Sequence, residues 1–594
     1  MKKVFAALLF ICIYHVTVSQ VIPDSLRTGW SNAGLQSFFV DTTNVIDVTS
    51  FGAAGDGITN DFPAIASAIN SIAGHSGIVF FPPGTYLLNS ALNLPDSAVL
   101  KGAGSGQTTL TFNLGGVTGN CINVIASQPY PFYPVQGGFQ KGSFKIICDS
   151  AMNFNAGDFA ELREANGAWD TSPQPWADHA VGQIVKVTSV IGDTIFIEHA
   201  LRIDYDSSLN VEIRKTSMRS NVSIQCMHII RTDSTAPSVN YGIYFSYAGN
   251  CLVRGVEMER TIGALILAEA SMALEITGNY FHHAYEYTGS STKGYGVVMA
   301  KHSGENKIEN NIFRHLRHAM LVTHGANGNV YSYNYSIEPT RSEFPTDLGG
   351  DISLHGFYPF SNLFEGNICQ NLMIDQANGP SGPFNTFFRN RVELYGIVIS
   401  SGTVTTDRNN FVGNDITGTG LGQGQYILTG ASHFTYGNND NGVIEPPGTN
   451  VLNDTSYYLS SLPSFWNITE AFPNIGTPNP VTGQNIPSRQ RFISGNNFTL
   501  CGPDVIAAII QWQYGADVTI FPNPVAGELR IKDAELRIKE IEIYNVFGER
   551  VFSENQEPGG ENQVVMNVSS LKPGVYFVRV TTDTEISVAK FVKE

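Results

Sequence analysis

Residues 306–334, NKIENNIFRHLRHAMLVTHGANGNVYSYN, contain the pattern on which the fold prediction depends. Asn306 precedes Asn311 by five residues, and the same pair returns as Asn329 and Asn334. An apolar run, AMLV, lies between the two pairs. The regular return of one polar pair indicates a repeat in which each turn of the chain forms one layer of a stack.

The same five-residue spacing continues in both directions from this stretch, between residues 240 and 415. The pairs are Asn250 and Gly255, Leu274 and Asn279, Asn306 and Asn311, Asn329 and Asn334, Asn362 and Asn367, Asn385 and Asn390, and Asn409 and Asn414. Their second members recur at intervals of 24, 32, 23, 33, 23 and 24 residues. The shorter intervals fit one coil of a parallel β-helix, and the longer two fit a coil with about nine extra residues. A β-sandwich with Asn-rich turns does not explain the constant period.

Stacked coils place equivalent residues about 4.8 Å apart, so the sequence predicts ladders of hydrogen-bonded Asn amides. The expected fold class is therefore all-β: a right-handed parallel β-helix with a small β-rich insertion and a C-terminal β-sandwich.

The chain nearer the N-terminus carries a dense pattern over residues 45–110, which includes VIDVTSFGAAGDGITNDFPAIASAINSIAG and GIVFFPPGTYLL. FGAAGDG indicates a tight Gly-rich turn, and Asn60 or Asp61 is a candidate N-cap for a short amphipathic helix. A buried strand over 78–81 is expected to follow and to end at Pro82. This stretch resembles the N-terminal segment of the pectate-lyase-like superfamily of rhamnogalacturonase, epimerase and tailspike type. The resemblance implies a right-handed parallel β-helix and leaves the reaction open.

The predicted organisation has six parts: a signal peptide over 1–19, an N-terminal cap and first coils over 40–137, a β-rich insertion over 138–216, coils with a cleft over 217–427, a trailing segment over 428–515, and a C-terminal β-sandwich over 516–594. Lys2 and Lys3 precede a short apolar run, and Thr17 and Ser19 supply small residues for cleavage, as in an export signal. No later stretch reaches 18 apolar residues, so no transmembrane segment is expected after cleavage.

The last part contains FPNPVAGELRI, IEIYNVFGERVF, LKPGVYFVRV and AKFVKE. Alternating strands with short turns predict a small β-sandwich. The motifs resemble the C-terminal sorting domain of type IX secretion cargo, which implies the secretion machinery as a partner and a secreted or cell-surface location in a Gram-negative bacterium. A carbohydrate-binding module is the structural alternative.

Composition excludes several classes of function. Charged residues make up 15% of the chain and the net charge is −17, which argues against a nucleic-acid partner. The cysteines match no zinc spacing. No metal site or cofactor is assigned from the sequence, and calcium is left open without a motif that supports it.

The candidate catalytic residues follow from aligning the ends of the apolar strands of successive repeats. The resulting column contains Glu269, His302, His324, His355, Asp375 and Ser400. In the strand DISLHG, alternation directs Ile352 and Leu354 inward and leaves Asp351 and His355 on the outer face with Ser353. The predicted catalytic set is His355, His324, His302, Lys301, Asp351, Asp375 and Glu269.

The two long intervals each precede a column strand, so their extra residues are expected to form walls of one cleft. The candidate substrate-binding residues are Arg341, Arg317, Tyr285, Tyr287 and Tyr295, which are suited to pairing with a carboxylate or stacking on sugar rings. Residues 282–324 carry a local excess of positive charge and six histidines inside an acidic protein. This distribution favours an anionic ligand.

The sequence therefore predicts a secreted enzyme that acts on an extracellular, anionic polysaccharide, with β-elimination from a uronic-acid polymer favoured. The alternatives are a glycoside hydrolase that uses Asp351 and Asp375, and a non-catalytic glycan-binding surface protein. Replacement of His355 or His324 by alanine is expected to abolish turnover and to preserve folding.

Overall fold

The computed structural model describes residues 20–501 and 519–593, apart from 37, 39–40, 42, 172, 235–239, 290, 343–348, 377, 467–471, 478–484, 533–539, 546–549, 556–562 and 582–585. The predicted signal peptide lies outside the described residues. The chain divides into two compact units, Met1–Cys501 and Gly502–Glu594.

The first unit is a parallel β-helix whose coils have three faces. The first face is a sheet of twelve parallel strands: Val45–Asp47, Gly77–Phe81, Ala98–Gly102, Ser223–Gln225, Leu252–Arg254, Glu275–Thr277, Lys307–Glu309, Val330–Ser332, Leu363–Glu365, Thr386–Phe388, Asn410–Val412 and Phe434–Tyr436.

The other two faces are joined into one sheet by two long strands, Ile368–Asp375 and Arg391–Ile399, that contribute to both. The second face also contains Asp56–Asn60, Gly84–Leu88, Thr108–Phe112, His228–Arg231, Glu257–Thr261, Tyr280–Ala284, Ile312–Arg314, Tyr335–Ile337, Asp415–Ile416, Asn438–Asp440 and Val443–Glu445. The third face also contains Leu92–Asn93, Ile122–Ile125, Tyr241–Ser246, Ala264–Glu269, Tyr295–Ala300, His318–Val322, Ile352–His355 and Gln425–Ile427.

The predicted Asn ladders are confirmed. One ladder runs through Asn279, Asn311, Asn334, Asn367, Asn390, Asn414 and Asn438, with side-chain amide contacts of 2.9–3.1 Å. A second runs through Asn306, Asn329, Asn362, Asn385 and Asn409. Each amide also satisfies backbone groups at the turn between faces, which explains why the turn residue recurs once per coil.

The N-terminal cap follows the sequence pattern. The helix Phe62–Ser71 packs Ile65, Ala68 and Ile69 into the core. Asp61 precedes this helix, but its carboxylate accepts from the backbone N–H groups of Ala54 and Gly55 and so holds the Gly-rich turn instead of capping the helix.

The insertion is a six-stranded antiparallel sheet with its own apolar core. Its strands are Tyr133–Pro134, Lys145–Ile147, Phe159–Arg163, Gly182–Ile191, Thr194–Ile197 and Glu212–Thr216. A two-stranded sheet, Arg219–Ser220 with Ala248–Gly249, follows it. A second α-helix, Pro487–Ser494, belongs to the trailing segment, and short 3-10 turns lie at Asp24–Leu26, Val48–Phe51, Ala151–Asn153, Pro175–Ala177 and Ser207–Leu209.

The second unit consists of two antiparallel sheets around one apolar core. One sheet contains Thr519–Phe521, Glu528–Lys532 and Gln563–Asn567, and the other contains Glu540–Asn545, Arg550–Asn555, Gly574–Thr581 and Ile586–Lys593. The all-β fold class predicted from the sequence is confirmed. Within the described residues, no helix has the length and apolar character needed to cross a membrane.

Candidate active site

A cleft of about 890 Å³ lies over the third face. Its floor is a row of outward-facing side chains in register on successive strands, in which the apolar Leu267, Val298, Leu321 and Met373 are interrupted by Ser353, between Leu321 and Met373. The alternate residues Ile352 and Leu354 point into the coil, as predicted. An apolar floor suits the non-polar face of a sugar ring, and the strand stack gives it the length of several sugar units.

Two residues further along each strand lies a second outward row, which we call the edge row. Register places Glu269 beside Ala300, and His355 beside Asp375. Thr323 follows Val322, which pairs with Leu354, so it occupies the rung between Ala300 and His355. The edge row therefore contains the predicted Glu269, His355 and Asp375, with small residues between them.

His355 and Asp375 form a close polar pair in the cleft. Nδ1 of His355 lies 2.5 Å from Oδ2 of Asp375. Because an ionised carboxylate only accepts, the pair places the proton on Nδ1 and leaves Nε2 of His355 as the basic nitrogen. The His355 side chain is 26% exposed, so it is both held and accessible.

His318 also lines the cleft, although it is not among the site residues predicted from the sequence. Its Nδ1 lies 2.8 Å from the carbonyl oxygen of Gly350, and its ring centroid lies 5.8 Å from that of His355. Burial lowers the pKa of His318 well below its ordinary value, which favours a neutral imidazole. Among the described residues Nε2 of His318 is buried and has no hydrogen-bond partner. The sequence signal for His318 is that it belongs to the histidine-rich stretch 282–324.

Lys301 and Arg341 bring positive charge to the cleft. Nζ of Lys301 lies 3.0 Å from Oε1 of Glu269, and Tyr244 donates to the other oxygen of Glu269 at 2.6 Å. Arg341 lines the cleft near Tyr295, which is buried in the wall. Among the described residues that line the cleft, the cations Lys301, Arg317 and Arg341 outnumber the carboxylates Glu269 and Asp375 by one, which favours an anionic ligand.

The prediction that His302 lies in the column is wrong. The strand Tyr295–Ala300 ends before His302, and Lys301 and His302 both adopt positive φ, so the chain turns away from the cleft. His302 is buried beneath the insertion, where Nδ1 lies 2.9 Å from Glu161 and Nε2 lies 2.7 Å from the carbonyl oxygen of His179. It fastens the insertion to the coils.

His324 lies one residue beyond the edge row, also at positive φ. It lines the cleft but is buried against Trp176 and Phe357, with ring centroids 5.5 and 5.6 Å away. Burial lowers the pKa of His324 to about 3, so its imidazole is neutral at physiological pH.

The prediction that Asp351 faces outward is also wrong. The strand Ile352–His355 begins after Asp351, which is 1% exposed and does not line the cleft. Its carboxylate accepts from the backbone N–H of Gln370 at 2.7 Å. Burial raises the pKa of Asp351 to about 6.

Three predicted substrate-binding residues have structural contacts instead. Tyr285 donates to the carbonyl oxygen of Arg231 at 2.8 Å, and Tyr287 accepts from the backbone N–H of Ala284 at 2.8 Å; neither lines the cleft. Arg317 does line it, but its buried guanidinium donates to the carbonyl oxygen of Thr288 at 2.6 Å and so supports the wall. No group of three or more His, Cys, Asp or Glu side chains within the described residues is placed to hold a metal ion.

Comparison with known families agrees with this architecture. Residues 45–199 match the family described as rhamnogalacturonase A/epimerase, pectate lyase-like, and residues 185–337 match the right-handed beta helix region. Residues 519–594 match the secretion system C-terminal sorting domain. Both resemblances expected from the sequence are confirmed. The sorting domain marks the chain as a secreted or cell-surface protein and implies the secretion machinery as a partner.

Individual relatives match over short segments. The non-secreted LysM effector LysM19 of Penicillium expansum is 36% identical over 76 residues, 13% of this chain and 6% of that protein. Mannuronan C5-epimerase AlgE6 of Azotobacter vinelandii is 42% identical over 72 residues, 11% of this chain and 8% of that protein. The chain thus covers less than a tenth of these curated relatives.

A solved structure shares the fold over most of the chain. The tailspike gp61 of Pseudomonas phage phi297 matches with a TM-score of 0.50 at 14% identity, over 92% of this chain and 97% of that one.

Proposed function

We propose that the protein cleaves a uronic-acid-containing polysaccharide by β-elimination, with His355 as the base. The observation that carries the proposal is the His355–Asp375 pair in a long, cationic, apolar-floored cleft. The epimerase in the matched superfamily description, and the local similarity to an enzyme named for mannuronan, support a uronate substrate.

The proposed reaction uses these groups in a definite order. Nε2 of His355 takes the proton from the carbon next to the uronate carboxylate, while Asp375 stabilises the imidazolium that forms. The electron pair left on that carbon forms the C4–C5 double bond, the C4–O4 bond breaks, and the departing oxygen takes a proton from solvent. Arg341 pairs with the carboxylate, on which negative charge accumulates.

Lys301 is assigned to binding instead of proton transfer. It follows Ala300, which lies two rungs from His355 in the edge row, a separation of roughly 10 Å. At this distance Lys301 lies beside a second sugar unit of an extended polymer, and not beside the unit that reacts at His355. Lys301 is therefore suited to a neighbouring carboxylate.

The positions of the carboxylates argue against glycoside hydrolysis. Among the described residues that line the cleft, the carboxylates are Glu269 and Asp375, four rungs or roughly 19 Å apart. Asp351 precedes His355 by four strand positions, which places it roughly 13 Å along the strand from the Asp375 rung. Hydrolases need two carboxyl groups separated by about 5–9.5 Å.

Product analysis on polygalacturonate and alginate tests the proposal. Elimination gives new reducing ends together with ultraviolet absorbance from unsaturated uronate ends. Reducing ends without that absorbance support the hydrolase. Inversion at C5 without cleavage, detected by NMR, supports an epimerase, and binding without any product supports a non-catalytic glycan-binding protein.

Replacement of Asp351 by asparagine separates the elimination and hydrolysis proposals. We expect Asp351→Asn to retain turnover, because the elimination mechanism gives this buried side chain no role. Because burial raises the pKa of Asp351 from 3.8 to about 6, the wild-type fold loses up to about 3 kcal/mol of stability as pH rises from about 4 to 6. The variant should therefore be more stable than wild type at pH 8 and equally stable at pH 3, as measured by urea unfolding. Loss of turnover with folding intact would favour the hydrolase.

Replacement of Arg341 by alanine should weaken substrate binding. We expect KM for a uronate polymer to rise by about ten- to one-hundredfold, because one charge-assisted contact to the carboxylate is lost. Arg341→Lys should recover part of the loss, since it restores the charge without the bidentate geometry. Steady-state kinetics measure both, and an unchanged KM in Arg341→Ala would remove Arg341 from the binding site.

A further inference from the structure

Trp176 of the insertion is 60% exposed although it stands against the cleft. Its ring packs edge-on against Phe357, with centroids 4.9 Å apart, and against His324 at 5.5 Å. Both partners lie in turns that follow cleft strands. By contrast, Trp169 of the same insertion is partly buried and packs on Tyr358. An exposed indole at the rim of a cleft offers an apolar face on which a sugar ring can stack.

A second cavity of about 340 Å³ lies beside Trp176, between the insertion and the coils. Trp176, Glu269, Lys301 and His324 line both this cavity and the main cleft. Trp176 therefore stands at their junction. The volume falls at the lower end of the roughly 300–1,000 Å³ typical of small-molecule sites.

The walls of the second cavity carry fixed polar groups. Arg214 pairs with Glu161 at 2.7 Å, and Arg163 pairs with Glu212 at 2.6 Å. A hydrogen bond and charge from His302 and the Arg214 guanidinium outweigh burial and lower the pKa of Glu161 to about 2, so its carboxylate is charged. These ion pairs present oriented donors and acceptors around an aromatic face. Sugars combine an apolar ring face with a rim of hydroxyl groups, which matches this arrangement.

The insertion is held rigidly enough to form part of a binding site. Its strand Phe159–Arg163 is fastened by the buried contact between Glu161 and His302. Its strand Gly182–Ile191 accepts from Nδ2 of Asn327 at 2.9 Å through the carbonyl oxygen of Gly182. Ligand binding to a site on packed strands does not carry the entropy cost of ordering a flexible segment.

We propose that Trp176 and the second cavity form a further sugar-binding subsite, with the indole as the stacking platform for one ring of the polysaccharide. This proposal rests on the proposed function, because it extends the same cleft. It gives the insertion a role in substrate binding as well as in covering the coils.

The test measures polymer binding without turnover. In the His355→Ala background, affinity electrophoresis through gels containing polygalacturonate or alginate compares Trp176→Ala with its parent. We expect about tenfold weaker binding for Trp176→Ala, partial recovery in Trp176→Phe, and no change for Ile191→Ala, a matched control on an exposed apolar residue of the same insertion. Equal binding by parent and Trp176→Ala, or no retardation of the parent by either polymer, would overturn the subsite.

The subsite and the proposed reaction fail in different ways. If Trp176→Ala binds like its parent while the wild type forms unsaturated products, only the subsite is wrong. If polymer binding depends on Trp176 while no unsaturated product forms, the subsite stands and the elimination reaction is wrong.

Discussion

His355→Ala is expected to lower kcat on a uronate polymer by about 100- to 10,000-fold, the range that a general base contributes. Its imidazole is the accessible base of the cleft, and the 2.5 Å contact to Asp375 fixes its tautomer. Asp375→Asn should lower kcat less, and its effect should largely disappear in the His355→Ala background, since Asp375 acts through the histidine. Reducing-end assays give kcat.

The control for this prediction is His75→Ala, which removes an exposed histidine at the N-terminal cap. It should turn over at the wild-type rate. All variants should retain the far-ultraviolet circular dichroism of the parent. Wild-type kcat in a folded His355→Ala protein would show that the base lies elsewhere.

The second large effect is expected in the Asn ladder. Nδ2 of Asn334 donates to the carbonyl oxygen of Ile308 at 2.8 Å and to Oδ1 of Asn367 at 3.0 Å, and its own Oδ1 accepts from the amide of Asn311. Asn334→Ala leaves several buried polar groups without partners, each costing about 1–3 kcal/mol. We therefore expect the free energy of unfolding to fall by about 4–6 kcal/mol.

Urea unfolding measures this loss, with Asn153→Ala as the control. Asn153 is exposed and lies outside both ladders. Its replacement should change the free energy of unfolding by less than about 0.5 kcal/mol. A similarly small change for Asn334→Ala would mean that the ladder does not stabilise the stack.

The fold was predictable because the chain repeats. Each coil must satisfy the same backbone groups as the coil below it, so Asn recurs at the same corner of successive coils. The sequence therefore repeats Asn at this position, and Asn279, Asn311 and Asn334 are hydrogen-bonded to one another in the structure. The same regularity placed His355 and Asp375 on adjacent rungs.

The parts of the site that were mispredicted lie where the repeat stops. His302 and His324 follow their apolar strands closely in sequence, but they come after the edge-row positions Ala300 and Thr323, where positive φ turns the chain out of the strand. Asp351 precedes its strand, so alternation does not apply to it. Trp176 is distant in the chain and belongs to no repeat, so only the docking of the insertion brings it to the cleft.

The ultraviolet absorbance of unsaturated uronate ends, followed over time for wild type and His355→Ala on polygalacturonate and alginate, tests the central claim most directly. Wild type should produce absorbance in step with new reducing ends on at least one polymer, and His355→Ala should produce both at least about 100-fold more slowly. Reducing ends that accumulate in wild type without absorbance, or equal absorbance from His355→Ala, would contradict elimination at His355.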